Sequence, residues 1–99
     1  MLIVAGPLFV DPEAHAGFLD AAAAVVPPTL AEDGCLEYAF WTDPDRPGHF
    51  LVFEEWESEA HLDAHLQAPH LRAFQAALAK LGLREAAVRR YLVEAVHPL

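Results

Sequence analysis

The chain has 99 residues, 55% of them apolar, and its fifteen Asp and Glu against six Lys and Arg give a formal charge of -9. That charge repels phosphate backbones and anionic headgroups, which excludes nucleic acid and acidic membranes as natural partners. The length favours a single domain over residues 1–99, because a unit of this size buries roughly two thirds of its unfolded surface and leaves no material for a second core.

The opening "MLIVAGPLFV" is apolar but has no basic flank, and it falls far short of the roughly 20 residues that span a bilayer. It reads as a first strand, Leu2 to Val10. Asp11 and Pro12 then suit a helix start, and Phe18, Ala21, Ala22 and Val25 fall at helical spacing. Pro27 and Pro28 predict the end of that helix, since neither can donate to its ladder. "EDG" turns the chain into a strand from Cys35 to Trp41. The turn-rich "TDPDRPG" leads into a second strand from His49 to Trp56, so the two pair as a hairpin.

Ser58 is placed to cap a short helix running to Leu66, and Pro69 restarts a helix whose Leu71, Phe74, Leu78 and Leu81 form one stripe, with Gly82 as its stop. "AAVRRYLVEAV" supplies a last strand. The order βαββαβ predicts an α+β, ferredoxin-like domain, one antiparallel sheet with helices on one side. Both sides of its central strands are apolar: Phe50, Val52 and Trp56 point one way against Leu51 and Phe53, and Leu36, Tyr38 and Phe40 oppose Ala39 and Trp41. Helices cover one side only, which predicts a homodimer with sheets face to face. The lone Cys35 permits no internal disulfide and suits a reducing, cytoplasmic setting.

With these elements placed, the chain resembles the antibiotic biosynthesis monooxygenase family. The likeness is densest from "PPTLAEDGCLEY" through "DPDRPGHFLVFEEWESEAHLDAHLQAPHLRAF", where Glu55 and Trp56 end a strand and His65 and His70 flank a helix break. The resemblance implies a dimeric α+β barrel and the chemistry of small, cofactor-free quinol and polyketide oxygenases. Heme degraders of the same superfamily rely on an asparagine, a tryptophan and a histidine on the long helix. This chain has no asparagine, and Gln75 stands about where that histidine belongs.

His61 and His65 are four residues apart, a spacing that can hold a metal, but no third ligand is evident and no metal is expected. His61 is expected to face solvent. In the resembling family the histidine at the place of His65 points into the ligand pocket, and an imidazole there can take a phenol or enol proton and return it. Tyr38 and Trp56 share a parity and offer an O–H and an N–H to orient a substrate oxygen. Phe40, Phe53 and Trp41 are candidates to line a pocket for a small apolar aromatic ligand, with His70 at its rim. Glu54 and Glu55 must face opposite sides, with an arginine, Arg89 or Arg90, as a partner for one of them. Cys35 lacks an activating base. No Gly-rich phosphate loop, nucleophile elbow or CxxC pair is present, so no cofactor is indicated.

The resemblance, taken with these residues, implies a cofactor-independent monooxygenase acting on a small phenolic or quinol-like compound with O2. The alternatives are a non-catalytic dimeric module that binds an apolar metabolite, or an enolate isomerase on the same fold.

Overall fold

A computed structural model describes residues 1–99. The elements are β1 (Leu2–Phe9), α1 (His15–Leu30), β2 (Cys35–Thr42), β3 (His49–Trp56), α2 (Glu59–Leu66), α3 (Pro69–Ala79), β4 (Glu85–Ala86) and β5 (Arg89–Leu92). β3 lies between β2 and β1, and the far edge of β1 carries β4 and β5, all antiparallel. This is the expected ferredoxin-like order, with the last strand in two pieces.

The interruption has a local cause. β4 and β5 keep one register on β1 and part from it opposite Gly6 and Pro7. Pro7 accepts from the Ala87 N–H at 3.0 Å but has no N–H to return. The Ala87 carbonyl instead lies over Gly6, where a Cβ would stand 2.1 Å from it. Only glycine permits that approach.

Alternation divides the sheet into two faces. Leu2, Val4, Leu8, Tyr38, Phe50, Val52 and Trp56 are buried against the helices, where they join Phe18, Val25, Leu62, Leu71 and Phe74 in one cluster of fourteen apolar residues. Phe18 of α1 stacks on Phe50 with ring centroids 3.9 Å apart. The opposite face is bare: Trp41 is 62% and Leu51 45% exposed, and they are cross-strand neighbours in a row that continues to Pro7.

Two sequence expectations are corrected here. α1 does not stop at the prolines but includes both and ends at Leu30. The carbonyls left without donors belong to Ala23 and Ala24, which are exposed and can bond to water, while the Thr29 hydroxyl donates to the Val25 carbonyl at 2.7 Å. Leu36 is not on the inner face with Tyr38. A bulge between Cys35 and Glu37 shifts the register by one, and Leu36 turns outward.

The helical arm follows its sequence signals closely. The Ser58 hydroxyl accepts from the His61 N–H at 3.2 Å, capping α2. Extended Ala68 and Pro69 begin α3, and Gly82, at φ +66°, lies just beyond its end. No helix is long and apolar enough to cross a membrane.

Candidate functional site

Between the α2–α3 arm and the inner face of the sheet lies a cavity of about 320 Å³, at the small end of ligand-binding pockets. Val4, Leu8, Val52 and Phe40 form its sheet side, and Leu62, Leu71, Phe74 and Leu78 its helical side. Polar groups on its wall are few: Tyr38, Glu54, His65, Gln75, Arg89 and Arg90.

His65 follows Leu62 by three residues on the inner face of α2 and is only 2% exposed. Its ring lies 4.8 Å from that of Trp56 and 5.3 Å, edge to face, from that of Tyr38. Nδ1 is 2.6 Å from Glu32 Oε2, and the same oxygen is 2.7 Å from His70 Nε2. One carboxylate oxygen thereby ties the loop after α1 to both helices of the arm. A carboxylate only accepts, so its partner Nδ1 carries the proton and Nε2 is the basic nitrogen of the ring that faces the cavity. The three donor atoms of Glu32, His65 and His70 lie within 4.8 Å of one another. Such a spacing suits a divalent ion, and the two imidazoles sharing one carboxylate oxygen equally suit proton transfer.

Glu54 is the second buried ionisable group. It is 7% exposed, and its Oε1 accepts from the Trp56 indole N–H at 2.9 Å. Burial raises its pKa to about 7; the indole hydrogen bond opposes that shift and the charge of Glu32 adds to it. Tyr38, its cross-strand neighbour, is held far above the ordinary phenol range by burial and by the charges of Glu54 and Glu32. Tyr38 is therefore a donor, never a base, near neutrality.

The structure brings His65, Tyr38 and Phe40 together on the cavity wall and separates the other candidates from it. Trp56 does not line the cavity; it is wholly buried behind His65, and its N–H is committed to Glu54. Trp41 and Phe53 fall on the outer face of the sheet, because their parity is opposite to that of Phe40 and Val52. His70 holds Glu32 and stands outside the cavity lining. His61 does not pair with His65: it is half-buried beneath Gly34, 2.7 Å from Ser58 Oγ and 3.4 Å from Asp33. Neither Glu54 nor Glu55 pairs with an arginine, since Arg90 reaches Glu59 and Asp63 on α2. The Cys35 thiol is pushed up to about 11 by burial and by the carboxylates of Glu32 and Glu54, which leaves it unreactive.

The chain is thus a ferredoxin-like α+β domain with a cavity beneath a proline-broken helical arm. The family model for antibiotic biosynthesis monooxygenase matches residues 1–77, and the chain belongs to that family. It is 38% identical over 88 residues to Probable quinol monooxygenase YgiN of Escherichia coli, covering 79% of this chain and 85% of that protein. It is 30% identical to the uncharacterised protein sll1783 of Synechocystis, covering 93% of this chain but only 63% of that longer protein. Among solved structures, Rv0793 of Mycobacterium tuberculosis superposes with a TM-score of 0.87 at 28% identity, covering 98% of both chains.

Proposed function

We propose that the protein is a cofactor-independent monooxygenase that oxidises a small phenolic or hydroquinone-like compound with O2. The observation that carries this reading is His65, a buried imidazole oriented through Nδ1 by Glu32 on the wall of a mainly apolar cavity. Family membership and the name of the Escherichia coli relative point the same way.

In this mechanism His65 Nε2 takes the ring hydroxyl proton, Glu32 steadies the resulting imidazolium, and the Tyr38 O–H orients the ring oxygen. The electron-rich anion passes an electron to O2, the radical pair combines at a ring carbon, and the O–O bond breaks. For a hydroquinone, one oxygen atom stays on the ring, giving a hydroxyquinone, and the other leaves as water. The ring supplies all four electrons that reduce O2, so no external reductant enters the balance. The apolar walls exclude water from the charged intermediates.

The active form in this proposal is a homodimer. The bare sheet face, with Trp41, Leu51, Phe53 and Tyr91, is an apolar patch of the kind that a second sheet covers. Replacing His65 by Ala should abolish O2 consumption, measured with a polarographic electrode on a naphthohydroquinone, while sedimentation stays unchanged. Undiminished turnover in that variant removes the mechanism.

A further inference from the structure

The cavity wall holds one carboxylate, and the mechanism above leaves it idle. Glu54 lies on β3 between Val52 and Trp56, on the inner face, and is part of the cavity wall. Its Oε1 is fixed by the indole N–H, whereas Oε2 has no hydrogen-bond partner in the protein and is not among the sealed, unpaired buried atoms. It therefore opens onto accessible space. No cation neutralises it. Of the groups around it, Tyr38 on β2 is a neutral phenol, Glu32 from the loop after α1 is a like charge and Trp56 offers only the N–H already used. His65 on α2 is bound to Glu32, Arg90 on β5 is engaged with α2, Arg89 lies exposed on the same wall, and the α3 wall contributes only neutral Gln75 among apolar side chains. An uncompensated buried carboxylate is costly to keep, and groups of that kind concentrate where chemistry is done.

We infer that Glu54 is a second proton-accepting group of the cavity, and that the compound it recognises is a ring bearing two hydroxyls, one addressed to His65 and the other to Glu54 Oε2. This deepens the proposed function and rests on its placement of the substrate. The proton balance fits two acceptors. A hydroquinone gives up two hydroxyl protons as it becomes a hydroxyquinone, one to each group, and both return to the oxygen atom that departs as water. The hydrogen on the attacked carbon moves to the new hydroxyl. His65 and Glu54 both end in their starting states. The pKa of about 7 that burial gives Glu54 suits a group that must take and return a proton near neutrality.

The test is the variant Glu54→Gln, whose amide oxygen still accepts from the Trp56 N–H but cannot take a proton, so a purely structural role predicts no change. Its first arm is anaerobic and independent of turnover. Binding of 1,4-naphthohydroquinone and of its monomethyl ether is measured by titration of tryptophan fluorescence. The wild type should prefer the diol by about tenfold, the magnitude of one hydrogen bond to a charged group, and Glu54→Gln should lose that preference. Its second arm is aerobic: Glu54→Gln should lower turnover of the diol by on the order of 100-fold and remove the rise in kcat through about pH 7, with Glu54→Asp restoring part of both. An unchanged preference, or an unchanged rate and pH profile, overturns the assignment. If the diol preference behaves as stated but the wild type consumes no O2, the oxygenase reading falls and Glu54 stands as the recognition group for the second hydroxyl.

Discussion

Glu54 and Glu55 are adjacent in sequence and opposite in fate: one is buried beside Trp56, the other lies on the open face. Strand alternation made that split legible, and it also made Glu54 and Trp56 neighbours on the same face. The missing piece was chemical. Sequence reasoning gives a buried carboxylate an arginine, but Arg90 is drawn to the acidic side of α2, and an indole N–H takes its place. Glu32 was out of reach altogether, because nothing in "AEDGC" announces that its carboxylate will meet two histidines 33 and 38 residues away. The raised pKa of Glu54 carries a stability signature. The folded protein holds this proton more tightly than the unfolded chain, so its contribution is fully present below the ordinary carboxylate value of 4.5 and is lost as pH rises through about 7. The loss is on the order of 3 kcal/mol. Urea midpoints measured from pH 4 to 8 should fall for the wild type relative to Glu54→Gln; parallel curves would show a carboxyl that is not desolvated.

Elements whose signals are local came through with boundaries within one residue of those expected. The β2–β3 hairpin, the Ser58 cap and the Pro69 restart each depend on residues within a few positions of one another. Elements that depend on contacts far along the chain did not. The prolines of α1 are tolerated because the carbonyls they abandon face water, and the last strand is broken by a proline on β1 some eighty residues earlier in the chain. Since α2 carries His65 and is only eight residues long, its cap has more influence than a cap on a long helix. Ser58→Ala removes the acceptor for the His61 N–H and should cost about 1 kcal/mol. The measurement is chemical denaturation, and a change below a few tenths of that value would mean that tertiary packing alone holds the helix.

At the scale of the whole molecule, the two-faced greasiness of the sheet was the most legible feature and the least complete in a single chain. Aromatic character alone offers Trp41 and Phe53 to the pocket; geometry assigns them to the other face, together with Leu51 and Tyr91. Leu51→Lys places a charge at the middle of that face, 45% exposed in the isolated chain, where a monomer would accept it. Sedimentation equilibrium should therefore give a dimer for the wild type and a monomer for the variant, with helix and strand content by circular dichroism unchanged. A wild type that sediments as a monomer at tens of micromolar would remove the dimer.

The seam at Gly6 and Pro7 bears on the cavity. The closing strand is stitched to the sheet along one margin only, and the stitching lapses beside Val88, which is also part of the cavity wall. Parting the chain there severs fewer ladder bonds than along the fully paired strands. On that side the hollow is bounded by a stretch that the ladder holds through one bond, from the Ala87 N–H to the only proline in the sheet.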